Sequence, residues 1–149
     1  MAALIKISGA IFCVVLLFSS INSKPLTKKE REEIGNQCVK ETGVDRAIIA
    51  NVVKTQQTVD NEQYLDYLVC SYKLQGFLDK NGPVILHDNI VTFLSDFYTM
   101  DELTFVMKEC KEVKNTDVRQ LVGNTLECLL RKLKEVDVMR TTAKNQGKD

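Results

Sequence analysis

The chain has 149 residues, of which 44% are hydrophobic and 27% are charged, and this length and composition exclude a disordered chain and predict one domain with a sizeable core. Its 20 basic and 20 acidic residues give a net charge of +0, with no basic run longer than a pair, which excludes the electrostatic footprint of a protein that binds nucleic acid or an anionic membrane. With 7 Gly, 2 Pro and no Trp, a turn-rich sandwich or barrel is disfavoured, and we expect an all-α fold.

The first 23 residues are typical of a secretory signal peptide. Residues 7–21 are almost all apolar, follow Lys6, and precede a polar stretch that leads into Lys24. A membrane-spanning helix usually needs about 18 or more apolar residues, so an uncleaved anchor is the weaker interpretation. We therefore expect cleavage near residue 23, secretion to the extracellular space and no membrane span in the mature chain.

Cleavage would remove Cys13 and leave four cysteines, an even number that fits an oxidising compartment. Four cysteines allow three pairings, and free buried thiols are the alternative to two disulfides. The spacing contains no CxxC motif and His87 is the only histidine, so the sequence predicts no zinc site.

Two helices are predicted at the start of the mature chain. Thr27 and Glu30 form a capping box, in which each side chain satisfies a free backbone amide at a helix start. Gly43 is placed to end this helix in a left-handed conformation. Asp45 can cap a second, short helix that fades over residues 55–58.

The next two helices are separated by a turn. Asp60 or Asn61 opens a third helix that runs to Gly76, and the Asn-Gly-Pro sequence within residues 78–83 predicts a turn. Asp88 is then expected to cap a fourth helix.

A second capping box, Thr99 with Glu102, starts a fifth helix, and a long sixth helix follows residues 115–117. We expect a helical domain over residues 24–139 and a polar, disordered tail over residues 140–149.

The sequence lacks the common catalytic motifs: it has no phosphate-binding glycine loop, no GxSxG and no HExxH. His87-Asp88 resembles the His-Asp pair of small secreted phospholipases, but no cysteine flanks it and no calcium loop precedes it. A capping Asp88 and a solvated His87 are the favoured interpretation, and residues 79–82 are predicted to be a turn rather than a calcium loop. We expect no enzymatic activity, no metal and no cofactor.

The cysteine spacing, together with Tyr-Lys-Leu-Gln-Gly-Phe-Leu-Asp at residues 72–79, resembles the insect odorant-binding protein family (pheromone/general odorant-binding proteins). This family has six cysteines, and four of these positions are occupied here, by Cys38, Cys70, Cys110 and Cys128. The two other positions belong to one disulfide of the family, so the resemblance implies a four-cysteine "minus-C" member with disulfides Cys38–Cys70 and Cys110–Cys128.

The two positions that lack cysteine carry opposite charges. Asp66 lies at the second cysteine position and Arg119 at the fifth. Our hypothesis is that they form an ion pair between the third and sixth helices; the alternative is that both charges point to solvent. Because an exposed ion pair contributes about 0–1 kcal/mol and a disulfide about 2–4 kcal/mol, this junction is expected to be looser than in six-cysteine members.

The resemblance implies a compact bundle of about six helices around an internal hydrophobic cavity that reversibly binds a volatile, a fatty acid or a similar small ligand. From the apolar helix faces we select as cavity lining Val52, Val53, Phe93, Phe97, Val106, Met107, Val122, Leu126 and Leu129. Tyr72, Tyr98 or Thr125 can hydrogen-bond a ligand oxygen. The alternative for each residue is an ordinary core position.

A role in chemosensation would add a chemosensory receptor as a partner, and the protein is expected to be a monomer or weak dimer. The alternative function is a secreted protein-interaction factor of the salivary or venom type, which would use the outer surface of the same fold. With a single histidine, a histidine-cluster pH switch is weakly supported.

Overall fold

A computed structural model describes residues 24–146 as six helices. They are α1 (Lys28–Thr42), α2 (Arg46–Thr55), α3 (Glu62–Leu74), α4 (His87–Leu94), α5 (Met100–Cys110) and α6 (Val118–Gln146). Within this range no strand is formed, and the all-α prediction is confirmed. The predicted signal peptide and residues 147–149 lie outside the described residues.

The structure confirms both predicted capping boxes. In α1, the Thr27 amide donates to Glu30 Oε2 at 2.6 Å, and the Glu30 amide donates back to the threonine hydroxyl at 3.2 Å. In α5, the Thr99 amide donates to Glu102 Oε2 at 2.8 Å, and the Glu102 amide donates back to the threonine hydroxyl at 3.4 Å. Each box satisfies amides that a helix start otherwise leaves without a partner.

Side-chain caps also define the ends of the next helices. Asp45 accepts from the Ala47 amide at 2.8 Å and starts α2, whereas Asn61, and not Asp60, accepts from the Tyr64 amide at 2.9 Å and starts α3. Helix α1 ends at Gly43, whose φ of 67° lies in the left-handed region that favours glycine.

The prediction that Asp88 caps α4 is wrong. The capping position is Leu86, which makes no side-chain cap bond, and Asp88 lies in the first turn. The predicted turn over residues 78–83 is closed by a bridge between Leu78 and Ile85, and the Leu86 amide donates to the Phe77 carbonyl at 2.8 Å. These backbone contacts fix the residues just before the helix, and α4 begins at His87 without a polar side-chain cap.

The prediction of a disordered tail after residue 139 is also wrong for the part that the structure describes, since α6 continues to Gln146. Arg140 fastens this extension: its Nε donates to Glu102 Oε1 at 2.6 Å, and its guanidinium lies 4.7 Å from the centre of the Tyr98 ring.

Two disulfides join the helices in pairs. Cys38–Cys70 links α1 to α3, and Cys110–Cys128 links α5 to α6, which confirms the pairing implied by the family resemblance. The two disulfide-linked pairs pack against each other where α3 meets α6. We call this contact the α3–α6 seam; no described disulfide crosses it.

The α3–α6 seam depends on one glycine. A Cβ atom added at Gly123 would lie 2.9 Å from Leu65 Cδ2, closer than ordinary van der Waals contact. Around this point both helices contribute buried side chains, among them Leu68 and Val122. Glycine at position 123 therefore lets α3 and α6 approach more closely than any larger residue would.

We predict that Gly123→Val destabilises the fold by about 1–3 kcal/mol, because the added side chain overpacks the seam at Leu65. Urea denaturation would measure the loss. Gly82→Val is the matched control, since nothing lies within 4 Å of a Cβ at Gly82, and it should change stability by less than about 0.5 kcal/mol. Equal effects of the two substitutions would contradict the close packing inferred at Gly123.

Within the described range, none of the helices combines the length and the apolar character that crossing a membrane requires.

Candidate ligand-binding site

Seven of the twelve residues selected from the sequence are buried side chains in the interior. They come from four helices and are Val52, Tyr72, Val106, Met107, Val122, Thr125 and Leu129. Leu126 and Tyr98 are partly buried and pack against the same core. The structure therefore brings most of the selected residues into one apolar region next to the α3–α6 seam.

Two hydroxyl groups give this apolar region polar character. Thr125 is fully buried, and its hydroxyl donates to the Leu121 carbonyl of the same helix at 2.7 Å, so its oxygen remains able to accept. Burial raises the pKa of Tyr72, which keeps its phenol protonated and able to donate. Ser71, which precedes Tyr72 in the chain, is also buried, and its hydroxyl accepts a hydrogen bond from the Gln75 amide group at 2.7 Å. It was not selected from the sequence, because serine is usually exposed.

Val53 does not face the core, contrary to its selection from the sequence. Its exposure is 73%, whereas the neighbouring Val52 is buried. Successive helical residues are rotated by about 100°, and Val53 falls on the side of α2 that the core does not cover.

A row of aromatic rings runs from the interior to the surface. The centroids of Tyr72 and Phe77 are 5.7 Å apart, those of Phe77 and Phe93 5.7 Å, and those of Phe93 and Phe97 5.9 Å. Phe97 is 59% exposed, so it forms the outer end of the row and not the wall of a cavity as selected. Phe77 was not selected, although it lies in the stretch that carried the family resemblance.

Two clefts open at the surface of the described residues. One, of about 540 Å³, lies between α4 and α5, and the other, of about 420 Å³, lies between the end of α2 and α6. Met107 is the one selected residue that lines either cleft. The other buried selected residues contact the core instead, and the internal cavity itself stays a prediction.

Asp66 and Arg119 meet across the α3–α6 seam. Arg119 Nε donates to Asp66 Oδ1 at 2.6 Å, and Arg119 Nη2 donates to Asp66 Oδ2 at 3.0 Å, so the ion pair is bidentate. Both side chains are close to half exposed. Water and salt therefore weaken the pair, and it holds the seam less firmly than a covalent bond would.

The sequence analysis favoured a solvated His87, whereas the structure shows this side chain half-buried. Its Nε2 atom is buried and has no hydrogen-bond partner among the described residues. Burial, with a smaller contribution from Lys111, lowers the pKa of His87, and a hydrogen bond with the Cys110 backbone opposes this shift. His87, at the start of α4, therefore lies close to Cys110 and Lys111 at the end of α5.

Glu102 combines a helix cap with an interhelical ion pair. It closes the capping box of α5 and also accepts two hydrogen bonds from Arg140 of α6. The Arg140 bonds, followed by the bond from the Thr99 backbone, lower the pKa of Glu102 from 4.5 to about 2. One carboxylate thus holds the last turns of α6 against the start of α5.

The sequence model of the PBP/GOBP family matches residues 22–132, and the chain belongs to this family. Proteins of this family are secreted binding proteins for small hydrophobic ligands and not enzymes. No individual curated protein and no solved structure gives a significant match.

We predict that the attachment of the end of α6 weakens in acid. Because the folded pKa of Glu102 lies below its ordinary value of 4.5, its contribution is complete above that value and is lost as the pH falls from 4.5 to about 2. The protection of the amides of residues 140–146 from hydrogen exchange, measured relative to an unstructured chain at the same pH, should therefore fall over this range more than global unfolding explains.

In Glu102→Gln the same amides should have low protection already at pH 6, and this protection should change little further in acid. Asp101→Asn, at an exposed neighbouring position outside these contacts, is the control and should behave as the unmodified chain does. If Glu102→Gln retains the acid dependence of the parent, the role of Glu102 is refuted.

Proposed function

We propose that this protein is a secreted carrier that reversibly binds small hydrophobic ligands, such as volatiles or fatty acids, in chemosensation. The observation that carries the proposal is the match to the PBP/GOBP family over residues 22–132. The two disulfides, and the charged residues at the two remaining cysteine positions of the family, support a four-cysteine "minus-C" member. No catalytic role is proposed.

The proposed ligand site is the interior beside the α3–α6 seam. Val106, Val122 and Leu129 would contact the apolar part of the ligand, and Tyr72 or Thr125 would hydrogen-bond an oxygen atom. Removing apolar ligand surface from water stabilises a complex by about 25 cal/mol per Å² before the ordering costs are subtracted. An apolar interior with two hydroxyl groups suits a ligand with a hydrocarbon body and a single oxygen function.

These side chains are buried, and in this proposal a ligand reaches them when the helices separate. The α3–α6 seam is an extensive helix contact that no described disulfide ties, and it is held by packing and by the exposed Asp66–Arg119 pair. The α1–α3 and α5–α6 contacts are covalently tied. In this proposal the two disulfide-linked pairs remain intact while they move apart.

The alternative is a secreted protein-interaction factor. The observation that favours it is the exposure of large apolar side chains, including Phe97 at 59% and Met100 at 60%. Saturable uptake of a small apolar ligand separates the two functions, because an interaction factor needs no internal site.

The experiment is a fluorescence titration with N-phenyl-1-naphthylamine, followed by competition with dodecanol. We expect one probe per chain, confirmed by native mass spectrometry, and displacement by the alcohol. Tyr72→Phe should lower the affinity for dodecanol about three- to tenfold, because it removes a buried donor to the ligand oxygen, and should leave probe affinity unchanged.

Tyr67→Phe is the matched control, since Tyr67 lies on the same helix but its hydroxyl is near Gly35 of α1. It should bind both compounds as the parent does. Absence of saturable probe uptake would refute the carrier function, and an equal loss in both variants would refute the role of Tyr72.

A further inference from the structure

The cleft between α4 and α5 has the size and lining of a second binding site. Its volume of about 540 Å³ lies within the range of about 300–1,000 Å³ that small-molecule pockets occupy. The two helices run in opposite directions: the short segment 95–99 joins the end of α4 to the start of α5, and the cleft is lined by Asp88 near the start of α4 and by Lys111 and Glu112 at the end of α5. The cleft opens on the surface, and Met107 is the one residue that it shares with the buried set selected from the sequence.

The floor of this cleft is apolar and elongated. Leu103 and Met107 lie beneath the cleft, 1% and 4% exposed, and the apolar surface open to a ligand comes mainly from Val91 of α4 and Met100 of α5. The lining residues recur along one face of α5 from Met100 to Lys111, a distance of about 16 Å along the helix axis. This shape suits an extended hydrocarbon chain.

The other end of the cleft carries charges of both signs. Lys108 and Lys111 contribute two ammonium groups, and Asp88 and Glu112 contribute two carboxylates, so the net charge is 2 − 2 = 0. Among the residues that the structure describes, none of these four belongs to an ion pair. All four are exposed and free to contact a ligand.

We infer that the α4–α5 cleft binds an elongated amphiphile with a zwitterionic head group of the phosphocholine type. The hydrocarbon chain would lie over Leu103 towards Met100, with the phosphate near the lysines and the quaternary ammonium near the carboxylates. A head group of one sign would be attracted by two charges and repelled by the other two, whereas a zwitterion satisfies both. A purely apolar ligand would cover these charges without replacing their hydration.

The test uses dodecylphosphocholine below its micelle concentration and the protein labelled with ¹³C at the methionine methyl groups. Met100 and Met107 line the cleft, and Met139, on α6 outside the lining, is the internal control. We expect saturable shifts at Met100 and Met107 with no shift at Met139. Dodecanoate and dodecyltrimethylammonium, which have the same chain length but heads of one sign, should bind about fivefold more weakly.

Thr104→Trp should fill the cleft and weaken dodecylphosphocholine binding about tenfold or more. Thr104 is exposed, and its hydroxyl donates to the carbonyl four residues earlier at 2.8 Å. Thr55→Trp is the matched control, because Thr55 is exposed, makes the same bond at 2.8 Å and lines neither cleft. Both variants should retain the helical circular dichroism of the parent.

The inference is overturned if Met100 does not shift, if either singly charged amphiphile binds as tightly as the zwitterion, or if Thr104→Trp has no effect on binding. In each case, uptake of N-phenyl-1-naphthylamine by the same samples shows whether the interior carrier site survives independently. Continued probe uptake in Thr104→Trp, with loss of dodecylphosphocholine binding, supports two separate sites.

Discussion

The noncovalent contact between α3 and α6 holds together two helix pairs that are each closed by a disulfide. Helix α3 is bound to α1 through Cys38–Cys70, and α6 is bound to α5 through Cys110–Cys128, so relative movement of the pairs is concentrated at this seam. Close approach at Gly123 provides the packing, and the exposed Asp66–Arg119 pair provides modest additional attraction. The interior hydroxyl of Thr125 and the apolar Val122 lie on the α6 side of the same contact. In the proposed carrier function, this contact both stabilises the fold and controls access to the ligand site.

Local polar signals in the sequence predicted most of the fold. The Thr27 and Thr99 capping boxes and the glycine after α1 specify helix ends through bonds between residues a few positions apart, which are visible in the sequence. The start of α4 and the extension of α6 were predicted wrongly because they depend on partners distant in the chain: the Phe77 carbonyl for Leu86, and Glu102 for Arg140. Helical periodicity carries no information on such contacts.

The same distinction applies to the candidate site. Periodicity identifies the face of a helix that turns inward, and it placed Val106 and Val122 in the core. It does not distinguish a core that is closely packed from one that surrounds a cavity, because that depends on distances between helices. Val53 and Phe97 were assigned inward positions and are exposed, since Val53 lies off the face of α2 that the core covers and Phe97 lies in the turn after α4 has ended. The α4–α5 cleft combines residues whose common position emerges only when two helices pack in opposite directions.

The most direct test of this account is the rate at which N-phenyl-1-naphthylamine binds when the seam is covalently closed. Asp66→Cys with Arg119→Cys introduces cysteines at the two facing positions, and a mass two hydrogens below that of the reduced pair would verify the disulfide. Stopped-flow fluorescence should show probe uptake slowed about tenfold or more, because the seam can no longer open by breaking an exposed ion pair. Asp66→Ser with Arg119→Ser, which has neither link, should take up the probe at least as fast as the parent. Equal uptake rates in the cross-linked, serine and parent proteins would contradict the account.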